Sequence, residues 1–207
     1  MRARFITVEG LDGAGKTTQL QGIRDFLQAR GLPLCVTREP GGTALGELLR
    51  GLLLDAPQSL HSETETLLMF AARREHIDKV ITRALSDGKW VLCDRFTDAS
   101  FAYQGGGSGV AWEKIEKLET WVQGPLQPDL TLYFDVSPEV ARARAAGARA
   151  PDRYEQEQQD FHERTRAAYL RRAKAHPQRI RIVDADRSVE QIRSAVHDIL
   201  AALVERS

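Results

Sequence analysis

The sequence predicts an α/β fold with one five-stranded parallel sheet, helices on both of its faces and an arginine-rich lid. Three observations predict it. Five short β-rich runs alternate with longer helical patterns along the 207 residues. Most of these runs are continuously apolar rather than alternating, as expected of strands covered on both faces. Each run also ends in a polar cluster: Glu9-Gly10, Arg38-Glu39, Asp94-Arg95, Asp135 and Asp184. Parallel strands need helical crossovers of right-handed sense, which place helices on both faces of the sheet.

In chain order, the first strand is Phe5-Ile6-Thr7-Val8, followed by a helix over about 15–30. Leu34-Cys35-Val36-Thr37 is the second strand, with helices over 43–54 and 60–87 after it. Trp90-Val91-Leu92-Cys93 leads to a helix at 111–123. Leu130 to Phe134 precedes helices at 137–146 and 154–175, and Ile180-Arg181-Ile182-Val183 precedes the last helix at 188–205. Two segments break the alternation. Gln104 to Gly109 reads as a glycine-rich loop too long for a simple turn, and 141–153 reads as a surface flap. No linker divides the chain, so residues 1–207 are expected to form a single domain with the lid at about 141–153.

Basic and acidic residues balance at 29 each, so no global field draws the chain to nucleic acid or to an anionic membrane. No apolar run approaches a membrane span, and the first residues lack the apolar core of a signal peptide. Cys35 and Cys93 lie inside strand-like runs, where reduced thiols of a cytoplasmic protein are expected. Anion binding must therefore come from local clusters.

One such cluster follows the first strand. Gly10-Leu11-Asp12-Gly13-Ala14-Gly15-Lys16-Thr17 fits G-x-x-x-x-G-K-[ST] at every fixed position, and Thr18 continues into the helix. The glycines let backbone amides curl around an anion, and the helix N-terminus adds its own amides and dipole. Lys16 can reach the β- and γ-phosphates of a nucleotide, and the Thr17 hydroxyl can ligate Mg²⁺. This is a P-loop, and the expected fold is that of the P-loop NTPases. A guanine reader of the Asn-Lys-x-Asp type is excluded, since the sequence contains no asparagine.

Transfer to a second phosphate needs cations on the acceptor side, because two anions must approach in line. Arg38 and Arg95 follow the second and third strands directly and meet that need.

Three blocks make the comparison with a known family specific. They are Val8 to Thr18, Arg38-Glu39-Pro40-Gly41-Gly42-Thr43, and Asp94 through Phe96, Ala99, Ser100, Tyr103 and Gln104 to Gly105. Asp152-Arg153-Tyr154-Glu155 and Val183-Asp184-Ala185 add to them. On these motifs the chain resembles the bacterial thymidylate kinases over essentially its full length. The resemblance implies an enzyme that phosphorylates dTMP to dTDP with ATP and Mg²⁺, and that pairs as a homodimer.

It also implies roles. Asp12 would face the acceptor sugar and help organise the metal, and Arg38 and Arg95 would hold the dTMP phosphate. Asp94 would sit near Mg²⁺, Ser100 and Gln104 near the base and phosphate, and Tyr103 against the deoxyribose, where it would exclude a 2′-hydroxyl. Asp184 and Ala185 would border adenine. The family stacks a ring on thymine and reads its carbonyl with an arginine one turn later. In this helix, Phe70 is preferred over Met69 as the stacking residue and Arg73 over Arg74 as the reader, with both alternatives open. Gly13 stands where eukaryotic relatives carry a P-loop arginine. The bacterial arrangement moves that charge to the lid, where Arg142, Arg144, Arg149 and Arg153 are available, and Arg149 and Arg153 are favoured. A kinase for another monophosphate such as dUMP, CMP or AMP is the nearest alternative, and an ATP-dependent switch the next.

Overall fold

The computed structural model describes residues 2–54, 60–145, 154 and 159–205. Five strands, β1 (Phe5–Gly10), β2 (Leu34–Arg38), β3 (Trp90–Asp94), β4 (Leu130–Asp135) and β5 (Ile180–Asp184), form one sheet in the order β2-β3-β1-β4-β5. Every pairing is parallel, as the sequence predicts. The helices are α1 (Lys16–Gln28), α2 (Ala44–Leu54), α3 (Ser62–His76), α4 (Thr82–Ser86), α5 (Thr97–Ser100), α6 (Trp112–Gln123), α7 (Pro138–Ala145), α8 (Gln159–Ala175) and α9 (Val189–Glu205).

Side chains alternate across the strands and build a core on each face of the sheet. Ile6, Val8 and Leu92 join Ile23 and Leu27 of α1 and Val196 of α9 in one cluster. Phe5, Val91 and Cys93 join Phe70, Ile77 and Ile81 in the other. Burying each large apolar side chain contributes about 1.5–3 kcal/mol, so strands covered on both sides anchor the fold. β1 lies between β3 and β4: the chain places β2 and β3 on one side of it, then crosses to place β4 and β5 on the other. In such sheets ligands bind beyond the carboxyl ends of the strands, at the point where the direction of winding changes.

Two expectations are corrected. The predicted helix over 60–87 is continuous in space but widens into a π-helical turn at Ile77–Ile81 between α3 and α4. The glycine-rich segment is no loop: Phe101–Gly107 continues α5 as a π-helical turn packed on α8. Its glycines serve that packing. A Cβ on Gly106 would stand 2.5 Å from the Ala168 Cβ and 2.7 Å from the Arg164 carbonyl oxygen. The composition looked like a loop because the small residues are there to admit a neighbouring helix.

Candidate active site

A crevice of about 760 Å³ opens beyond the carboxyl ends of β1, β2 and β3. Asp12 to Thr18 line one side of it, and Arg38, Glu39, Asp94 and Arg95 line the other. Met69, Tyr103, Gln104, Tyr154, Arg144, Arg187 and Val189 also line it.

The loop from Gly10 to Gly15 depends on its glycines. Gly10 has φ 142°, and a Cβ there would stand 2.6 Å from the Phe134 carbonyl oxygen. Gly13 has φ 81°, and a Cβ there would collide with the backbone of Ala141 in α7. No side chain fits at this position. Gly15, also left-handed at φ 80°, caps α1 and starts the helix beneath the loop. Lys16 is buried, and its Nζ donates to the carbonyls of Gly10 at 3.0 Å and Leu11 at 2.8 Å. Burial, then the Arg95 charge, pushes the Lys16 ammonium below its ordinary value against the pull of Asp12 and Asp94. The Leu11 side chain turns into the core and contributes only its backbone to the loop.

Arg95 faces this loop directly. Its Nη2 donates to Asp12 Oδ1 at 2.7 Å, its Nη1 donates to the Gly10 carbonyl at 2.9 Å, and its guanidinium lies 4.9 Å from the Tyr103 ring centre. Arg38 stands at the mouth, half-exposed, with Nη2 donating to Glu47 at 2.8 Å. Asp94 presents a buried Oδ1 that no donor meets. No group of three or more His, Cys, Asp or Glu side chains is placed to hold a metal among the described residues. Asp94 and Thr17 both line the crevice, and one or two protein oxygens are what Mg²⁺ takes when phosphate and water complete its shell. Thr17 and Asp94 are the residues that would hold it.

The helix register resolves in the structure. Phe70 is 1% exposed and packs in the core beneath the Arg73 guanidinium, 4.5 Å from its ring centre, so it does not line the crevice. Met69 does. Adjacent helical residues diverge by about 100°, so the two cannot share a direction, and the preference for Phe70 as a stacking ring is corrected. Arg73 lies inside the protein: Nε donates to Glu39 Oε2 at 2.8 Å, Nη2 donates to Ser100 Oγ at 3.1 Å, and buried Nη1 has no partner. Arg74 turns away to the Val122 carbonyl at 2.9 Å. Glu39 is held in turn by His76 Nδ1 at 2.9 Å, and His76 Nε2 meets the Thr37 hydroxyl at 2.6 Å. Gln104 donates its amide to Glu65 Oε1 at 2.8 Å and to the Tyr154 hydroxyl at 3.3 Å.

Asp184 lies exposed beside Arg187, whose side chain and then the Asp186 amide hold its carboxyl below the usual range. Ala185 is buried, and its carbonyl accepts from Arg144 Nη1 at 2.6 Å. The crevice wall here is Arg187, Ser188 and Val189 rather than the two residues singled out from sequence. Of the lid arginines, Arg142 is exposed and bonded to Gln159, whereas Arg144 borders the crevice. Arg149 and Arg153 lie outside the described residues.

Residues 8–196 match the family model described as thymidylate kinase. The chain belongs to the thymidylate kinase family. A thymidylate kinase of Nitrosospira multiformis is 59% identical over 203 residues, covering 98% of this chain and 99% of the relative. That of Nitrosomonas europaea is 61% identical over 199 residues, covering 96% and 93%. The crystal structure of a thymidylate kinase from Ehrlichia chaffeensis superposes with a TM-score of 0.80 at 33% identity, covering 97% and 99%. The crevice residues above thus lie within a thymidylate kinase fold matched over 97% of the chain.

Sequence reasoning missed Glu39, His76 and Glu9 as parts of this site. Glu39 was visible inside the Arg38–Thr43 block, but its pairing with Arg73 spans 34 residues and needs the tertiary fold. Glu9 was visible only as a polar strand end.

Proposed function

We propose that this chain phosphorylates dTMP to dTDP with MgATP as the γ-phosphoryl donor, a step toward dTTP for DNA replication. The observation that carries the reading is the meeting of Arg95 with Asp12 at 2.7 Å. An acceptor-side guanidinium and the phosphate loop line one crevice, an arrangement that supports in-line transfer between two bound phosphates.

The P-loop amides and Lys16 bind the donor phosphates, and the carbonyls that Lys16 now contacts give way to phosphate oxygens. Arg38 and Arg95 hold the acceptor phosphate. An acceptor oxygen bonds to the γ-phosphorus as the bridging β–γ bond breaks, and that electron pair leaves with ADP. The acceptor phosphate is already ionised near neutral pH, so no general base is required. Thr17 and Asp94 would hold Mg²⁺, which would neutralise phosphate charge when bound.

At the acceptor's far end, Arg73 offers the unpartnered Nη1 to a pyrimidine carbonyl, with Met69 packing against the base and Gln104 and Ser100 completing the polar surround. Tyr103 stands against the sugar and leaves no room for a 2′-hydroxyl. Asp184 and Ala185 belong to the adenine border, with Arg187 to Val189 as the nearer wall. The lid expected at about 141–153 begins in α7, and Arg144 of that helix is the described arginine best placed to serve the γ-phosphate where Gly13 cannot; the role given to Arg149 and Arg153 falls on residues outside those described. The whole chain, 1–207, acts as one domain.

The partners in this reading are ATP, dTMP and a second copy of the chain, with no nucleic acid or membrane. Leu48, Leu52, Leu67 and Trp121, all more than half exposed on α2, α3 and α6, offer an apolar face for the homodimer. No described helix is long and apolar enough to cross a membrane, and the cytoplasm is the proposed compartment. A panel of monophosphates tests the specificity: ADP release should depend on dTMP and fall steeply with dCMP and AMP. Equal turnover of dCMP would remove Arg73 as a carbonyl reader.

A further inference from the structure

Arg95 is the one non-glycine residue with a left-handed backbone among the described residues, at φ 68°. L-residues avoid this region, so the surroundings must hold it there. The strain turns the chain sharply after β3 and brings the guanidinium back over Gly10 and Asp12. Its own amide donates to the Val8 carbonyl at 2.9 Å. The next amide, Phe96 N–H, donates to Glu9 Oε1 at 2.7 Å. Glu9 Oε2 accepts from the Tyr169 hydroxyl at 2.8 Å, and that hydroxyl in turn accepts from Arg95 Nη1 at 3.4 Å. Tyr169 is fixed from behind by stacking on Tyr133, 4.8 Å between ring centres.

Glu9 itself has no exposed surface and no part in the transfer described above. Burying a carboxyl is unfavourable unless its oxygens are satisfied, and here both are satisfied by groups that flank one residue. We infer that Glu9 is a positioning residue for the acceptor phosphate, holding Arg95 in its left-handed turn through Phe96 and steadying its guanidinium through Tyr169. The inference rests on the reading of Arg95 as the acceptor-phosphate cation. Burial, then the Asp98 charge, raises the Glu9 carboxyl to about 8 against the pull of Arg95.

Steady-state kinetics on the full chain separate this role from a merely structural one. Glu9→Leu should raise KM for dTMP about tenfold or more while KM for ATP moves less than about twofold. Glu9→Gln keeps an oxygen for Phe96 N–H and should recover most of the loss. In an Arg95→Ala background, adding Glu9→Leu should change KM for dTMP no further, because the residue acts through Arg95. If Glu9→Leu cannot be obtained folded, Tyr169→Phe keeps the ring on Tyr133 and removes the hydroxyl alone. It should raise KM for dTMP about threefold in the wild type and not at all beside Arg95→Ala. Unchanged dTMP kinetics, an equal rise in both KM values, or additivity with Arg95→Ala would each overturn the positioning role. Wild-type KM for dTMP in Arg95→Ala alone would overturn the assignment of Arg95, and this inference with it.

Discussion

At the scale of single residues, function here comes from side chains and backbone turned against their ordinary preferences. Lys16 is a buried ammonium folded onto the backbone carbonyls of Gly10 and Leu11; in the proposed reading it exchanges them for phosphate oxygens. Lys16→Ala should lower kcat by about 10²–10³-fold, the usual loss when one donor to developing charge is removed. Its circular dichroism and Tm should stay near wild type. Arg73 and Arg74 provide a sharper contrast, being neighbours with opposite fates. Arg73→Ala should raise KM for dTMP by a factor corresponding to about 1–3 kcal/mol, and Arg74→Ala should leave it within about twofold. The sequence carried both arginines and both candidates for the base-facing residue, but it could not set the helix phase. Only the burial of Phe70 beneath Arg73 and the exposure of Met69 to the crevice decide that. The P-loop, by contrast, was legible in full, because its chemistry lies within eight consecutive residues.

At the scale of elements, the π-helical turn Phe101–Gly107 is the case where composition misled. A run of glycines ordinarily marks a loop. Here Gly106 and Gly107 lie against Ala168, Arg164, Phe161 and Thr165 of α8, so closely that a side chain would force the two elements apart. The same turn carries Tyr103 and Gln104 to the crevice, so its seating on α8 fixes that part of the crevice wall. Gly106→Ala should lower stability by about 1–3 kcal/mol, as overpacking does, and be read as a fall in denaturant midpoint. KM for dTMP should rise with it. The alternation of strands and helices was legible because parallel strands buried on both faces read as short apolar runs. Their pairing order was not, since the order β2-β3-β1-β4-β5 arises from contacts far apart in the chain.

At the scale of the whole molecule, charge neutrality hides strong internal pairing. Asp98 on α5 is buried between Arg172 of α8 and Arg179 just before β5, tying three parts of the chain together. Burial opposes its charge, but the Arg179 and Arg172 guanidiniums outweigh burial and hold the carboxyl down at about 2. A carboxyl whose folded pKa is depressed contributes stability above its unfolded value and loses it as pH falls through the folded one. Denaturant unfolding should therefore show a loss of about 2 kcal/mol between roughly pH 4 and pH 2 that Asp98→Asn, already lacking the charge, does not share.

The central claim is that one crevice brings a triphosphate on the P-loop against a monophosphate held by Arg95. Incubation of the purified chain with Mg²⁺, dTMP and ATP labelled at the γ-phosphorus tests it most directly. The label should appear in the β-position of dTDP in one-to-one proportion with ADP, and Arg95→Ala should slow its appearance. Label released only as inorganic phosphate, or ADP formed at the same rate without dTMP, would contradict it.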